Sequence, residues 1–229
     1  MSGLPCNRID HFSLFLRQPL PIQQQNLMLI SQFDYKAPTT IKEVLSCLHA
    51  HPDAAILSGG YSLISLMKSG VIDPDFIIST EQIQTLKKID TESDGSVIIG
   101  SSVSLSTLLD HSSVGITFPS LKEVIKNIAD RQYCNQTSIG DEFSYQGGSM
   151  GVLAVLLSYG AEFHFSNGNG SETFKGLTLG DKPKNAILTS IQLRPPNGIT
   201  YVHEMKDPIS RLPLCGIAAQ IHGSKNAVQ

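Results

Sequence analysis

Apolar positions along the chain come as short runs of strand length separated by stretches with helical spacing. Ile41, Val44, Leu45 and Leu48 share one helix face, and Thr40-Ile41-Lys42-Glu43 at its start is a capping box. Residues 54–57 form an apolar run of strand length, followed by Gly59-Gly60 and then by Leu63, Leu66 and Met67 at helical spacing. Phe76-Ile77-Ile78 and Val97-Ile98-Ile99-Gly100 are further strand-length runs. Strand and helix alternating in this way predict an α/β or α+β lobe over 33–103.

A second α+β lobe is predicted over 104–200. Ser104 precedes Leu105, Leu108 and Leu109, and Ser120-Leu121-Lys122-Glu123 predicts a capped helix running to Ala129. Residues 135–148 are punctuated by glycine and read as too polar for a core element. Residues 150–159 read as a buried helix and 162–165 as a strand ending in Asn167-Gly168-Asn169-Gly170. Residues 187–193 read as a strand stopped by Pro195-Pro196, and 201–229 as the remnant of a further domain. Residues 1–32 stand apart. Pro19 and Pro21 break any helix there, while Phe12, Phe15, Leu16, Leu27, Leu29 and Ile30 are too apolar for a solvated tail. The expectation is an extension that docks on a partner protein.

Composition narrows the function. The chain has 229 residues, enough for a full core, and 41% of them are hydrophobic. A net charge of −3 argues against nucleic-acid or membrane-surface binding, which need clustered Lys and Arg. Cys6, Cys47, Cys134 and Cys215 lie far apart without metal-ligand spacing, which predicts reduced thiols in a cytoplasmic protein. No run of 18 apolar residues and no secretory signal pattern is present, so no membrane insertion is expected.

The strand, glycine turn and helix start at 54–68 carry the clearest chemistry. Such a turn aims several backbone N–H groups at one point, where an anion can sit without a side-chain charge. Elsewhere the residues are less telling. His49 and His51 sit at a helix end, where a histidine suits the dipole. His164 alternates with Phe163 and Phe165 as the outward residue of a strand. Asp141 and Glu142 are adjacent and joined by no histidine, which makes a poor metal or acid/base pair.

Two glycine turns, one per lobe, resemble the FAD-binding subunit of the molybdenum hydroxylases, the family of xanthine dehydrogenase and carbon monoxide dehydrogenase. Residues 58–68 (SGGYSLISLMK) are similar to the family motif A-G-G-x-S-L-x-P-x-M-K. Residues 132–142 (QYCNQTSIGDE) and 156–161 (LLSYGA) are similar to Q-V-R-N-x-G-T-I-G-G-N and L-L-A-L-G-A. The likeness extends from about Phe33 to His222. It implies an α+β, two-lobed fold that grips FAD. Ser58, Gly59, Gly60, Tyr61, Ser62, Leu63, Ser138 and Gly140 fall at its cofactor-binding positions.

The departures from the family pattern shape the functional expectation. Asp141 and Glu142 replace a glycine and an asparagine of the second motif, and Gly148 and Gly151 replace a proline and an aspartate. A carboxylate about 4 Å from a phosphate charge costs on the order of 4 kcal/mol at an effective dielectric of about 20. The chain also stops about one strand into the family's last domain. The expectation is therefore a degenerate, C-terminally truncated flavoprotein-like fold with no cofactor. It would serve as a non-catalytic scaffold among the protein subunits of a bacterial complex such as a secretion-system coupling complex. The alternative is an FAD-binding electron-transfer subunit of a molybdenum hydroxylase.

Overall fold

The computed structural model describes residues 31–128, 130–145, 150–168, 170–175, 183, 185–206 and 213–221. The expected docking residues Phe12, Phe15, Leu16, Leu27, Leu29 and Ile30 lie outside them.

Strands β1 (Asp34–Lys36), β2 (Ala55–Leu57) and β3 (Phe76–Ser79) form a parallel sheet in the order β1-β3-β2. Helices α1 (Ile41–Ala50) and α2 (Tyr61–Lys68) connect them. Successive strand residues point to opposite faces, and this decides where each helix packs. Ile78 meets Val44, Cys47 and Leu48 of α1, whereas Ile77 meets Leu63 and Met67 of α2. A sheet covered on both faces explains strands that read as continuous apolar runs. Thr40 caps α1 by accepting from Glu43 N–H at 3.3 Å, while Glu43 Oε2 reaches one residue further back, to Thr39 N–H at 2.9 Å.

The second sheet has five antiparallel strands in the order β4-β5-β8-β6-β7: β4 (Ile89–Thr91), β5 (Val97–Gly100), β6 (Glu162–Ser166), β7 (Ser171–Lys175) and β8 (Ile187–Leu193). The expected division at 103/104 cuts across this sheet, since β4 and β5 precede it. Among the described residues six helices complete the lobe: α3 (Leu105–Asp110), α4 (Ser112–Thr117), α5 (Pro119–Asn127), α6 (Arg131–Gln136), α7 (Ile139–Tyr145) and α8 (Met150–Ser158). Phe118, Leu121, Val152, Phe163, Phe165 and Ile191 are buried at the heart of its core.

Two expectations are corrected in this lobe. Helix α5 starts at Pro119 with Phe118 as its N-cap residue, because proline at the first helical position has no N–H to satisfy. Ser120 lies inside the helix and donates to the Thr200 carbonyl at 2.7 Å, so it ties α5 to a later strand instead of capping. Residues 139–145 form a helix in which Asp141 and Glu142 are buried, although that passage reads as too polar for a core element.

Strands β9 (Ile199–Lys206) and β10 (Pro213–Ile221) form an antiparallel hairpin. It lays Val202 and Ala218 on the second core and leaves Ile199, Tyr201, Met205, Ile217 and Ile221 exposed. Among the described residues no helix is long and apolar enough to cross a membrane.

Candidate cofactor site

Strand β2 ends at Leu57, and the chain reverses through Ser58-Gly59-Gly60 into α2. Gly60 is the N-cap residue of that helix with φ +100°, a conformation that glycine takes without steric cost. The reversal aims two consecutive amides at one point. Gly59 N–H and Gly60 N–H both donate to Asp141 Oδ2, at 2.9 and 2.8 Å. The turn that the sequence marks as a candidate anion site thus presents two amides to one oxygen, and that oxygen belongs to the chain's own carboxylate.

Asp141 reaches this position because α7 is clamped behind it. Its own N–H donates to Ser138 Oγ at 3.1 Å. Gly140 N–H donates to Ser101 O at 2.8 Å, and Ile139 N–H to Val103 O at 2.9 Å. Asp141 is fully buried, and Oδ1 has no hydrogen-bond partner. Burial pushes its carboxyl above the usual carboxylate range, against the opposing pull of the Gly60 and Gly59 amides.

The glycines serve different ends. A β-carbon on Gly59 would lie 2.7 Å from Ser138 N and 2.7 Å from Asp141 Oδ2, and would also strike the Gln136 carbonyl. A β-carbon on Gly140 would lie 2.6 Å from Ser101 O. Both positions allow backbone to approach backbone, Gly59 where the two motifs meet and Gly140 against Ser101.

Beside this contact a polar cavity of about 260 Å³ opens between the turns. Ser58, Ser102, Ser104, Asn135 and Ser138 line it, with Lys87 and Glu81, one charge of each sign, at its wall. Ser58 Oγ donates to Ser102 Oγ at 3.0 Å, and Ser102 shares a 2.9 Å hydrogen bond with Thr80 Oγ1. The sequence reading missed Thr80, Lys87, Ser102, Ser104 and Asn135. Only Asn135 lay within a quoted motif, and no local spacing marks the others.

The remaining predicted positions divide. Tyr61 is partly exposed and meets the Tyr133 ring edge-on at 4.6 Å. Ser62 is buried with no hydrogen-bond partner for its hydroxyl, and Leu63 is a core residue against Met67 and Ile77. Glu142 turns away from the glycine turn, and the Tyr133 hydroxyl donates to its Oε1. Burial and the Glu142 charge raise the Tyr133 phenol. Gly151, at the family's aspartate position, is filled from outside: a β-carbon there would strike the Glu204 carboxylate and lie 2.7 Å from Val124 Cγ2. Tyr145 donates to the Ile56 carbonyl at 2.7 Å. His51 stacks on Phe76 and His164 pairs with Thr173. Among the described residues no group of His, Cys, Asp and Glu could hold a metal ion.

The donor chemistry of the turn fits a diphosphate. Two convergent amides already hold an anion, in a cradle that a β-carbon on Gly59 would fill. The sequence model described as the FAD binding domain in molybdopterin dehydrogenase matches residues 31–193. The chain belongs to this family.

Relatives agree with the FAD binding domain assignment. The carbon monoxide dehydrogenase medium chain of Hydrogenophaga pseudoflava is 32% identical over 158 residues, covering 67% of this chain and 54% of that one. The glyceraldehyde dehydrogenase medium chain of Sulfolobus acidocaldarius is 26% identical over 179 residues, covering 76% and 63%. The chain therefore spans less than two thirds of these relatives. The solved carbon monoxide dehydrogenase from Hydrogenophaga pseudoflava superposes with a TM-score of 0.77 at 25% identity, over 83% of this chain and 69% of that one. For reconstituted CO dehydrogenase from Oligotropha carboxidovorans the TM-score is 0.78 at 22% identity, over 86% and 72%, a likeness of fold.

These matches overturn the expectation of a cofactor-free, non-catalytic scaffold in a secretion-type complex. The family to which the chain belongs is defined by an FAD binding domain, and the relatives are medium chains of dehydrogenases. The charge argument counted two carboxylates at the ligand position, whereas the structure puts only Asp141 there. One is held by the donors themselves, and the other is turned onto Tyr133.

Proposed function

We propose that this chain is the FAD-binding electron-transfer subunit of a hydroxylase of the molybdenum-dependent type. The observation that carries the reading is the pair of Gly59 and Gly60 amides converging on one anion, in a chain of this family. The Gly59 and Gly60 N–H groups would hold the diphosphate. Ser58, Ser102 and Asn135 would supply polar contacts in the adjoining cavity, and Lys87 a positive charge at its wall. Bound FAD supplies the capacity to take up a pair of electrons and release them singly. The protein's part is to bind and orient the nucleotide at the glycine turn between β2 and α2 and in the adjoining cavity.

The partners in this reading are the other subunits of the complex, in the cytoplasm, with residues 1–32 as one contact. Neither nucleic acid nor membrane is involved. The test is the visible absorption spectrum of purified protein after incubation with excess FAD and gel filtration. One flavin per chain is expected, and a protein fraction without flavin absorbance would contradict the assignment.

A further inference from the structure

We propose that Asp141 is a built-in anion that occupies the glycine turn in the ligand-free chain and must leave the Gly59 and Gly60 amides for a diphosphate to bind. The inference rests on the reading of this site as the seat of FAD. An amide N–H directs its hydrogen at one acceptor, and both amides of the turn are spent on Asp141 Oδ2. A phosphate oxygen in the same place would want the same two donors. The carboxylate and the phosphate would also repel each other in a site where burial weakens screening.

The position of Asp141 fits a displaceable group better than a permanent strut. Its carboxylate is fully buried, its bonds to the turn come from neutral amides, and Oδ1 accepts nothing. A buried carboxylate half satisfied in this way is held at a cost. Gly59, whose amide it occupies, and Ser138, which accepts from the Asp141 N–H, both line the polar cavity of about 260 Å³, so the carboxylate lies one residue layer behind that space. The same carboxylate also prevents two amides from being left bare when no ligand is present. Asp141 therefore sets affinity. The chain binds a diphosphate with its intrinsic strength reduced by the fraction of molecules in which the carboxylate has swung away.

The experiment is isothermal titration of FAD, and separately of inorganic pyrophosphate, into the full chain as wild type, Asp141→Gly and Asp141→Asn. Pyrophosphate isolates the diphosphate contacts from those of the flavin ring. Asp141→Gly should bind both ligands at least tenfold more tightly than wild type, with Asp141→Asn between them. If Asp141→Gly does not fold, as judged by thermal melting, Asp141→Asn carries the comparison, because it keeps the shape and an acceptor oxygen. Tighter binding by Asp141→Asn than by wild type supports the proposal. Equal or weaker binding by the variants overturns it while leaving the FAD reading in place. Absence of FAD binding in all three proteins contradicts both.

Discussion

The two glycine motifs use the same residue for opposite purposes. At Ser58-Gly59-Gly60 the backbone donors point at a ligand position, and an aspartate that lies 81 residues from Gly60 answers them. At Ser138-Ile139-Gly140 the donors are spent on the segment 101–103, so Gly140 serves close packing. In sequence the two look alike. The comparison teaches that a glycine motif specifies a backbone shape, while the bonding of its N–H groups is settled by whatever packs against it.

Paired substitutions sharpen that contrast. Gly59→Ala should be the most damaging, because its β-carbon meets the backbone at Ser138 and Gln136, which cannot swing aside. We expect a loss of about 3 kcal/mol, the upper part of the usual overpacking range. Gly60→Ala should cost about 1–2 kcal/mol from its positive φ alone. Its nearest neighbour, Leu57 Cδ1 at 3.2 Å, is a side-chain end that can yield. Denaturant unfolding of the two variants measures the difference, and an equal loss would break the distinction between close approach and backbone conformation.

A smaller effect follows from the charge on the first turn. Burial raises the Asp141 carboxyl in the folded chain above its unfolded value of about 3.9. Between those two values the folded state holds more protons than the unfolded state. The Asp141 contribution to stability is therefore present at low pH and is lost as pH rises through the window. Glu162 has the opposite sign, since its hydrogen bond to Lys175, aided by Arg194, holds its carboxyl low. Measured across acidic pH, the stability of wild type relative to Asp141→Asn should decline as pH rises. A constant difference would mean that Asp141 does not titrate in this window.

Much of the fold was legible because periodicity is a local signal. The runs at 54–57, 76–78, 97–100 and 187–193 became strands, and the spacings at 41–48 and 61–68 became helices. Helix α7 was not legible. Its polar residues are buried by partners outside the helix, the distant Gly59 and Gly60 amides for Asp141 and a tyrosine of the preceding helix for Glu142. Strand β7 was also missed, because its Ser171-Glu172-Thr173 stretch is polar and exposed and draws its pairing from β6. The turn between β2 and α2 was readable from the glycine pair at the end of a strand. Its occupant was not, since polarity near a motif does not say which way a side chain turns.

The most direct test of the central claim follows the amide resonances of Gly59 and Gly60 in isotope-labelled protein during titration with FAD. The account predicts that these two amides shift on binding, and that in ligand-free Asp141→Gly they already lie away from their wild-type positions. Tight FAD binding that leaves both amides unmoved would place the diphosphate elsewhere and contradict the account.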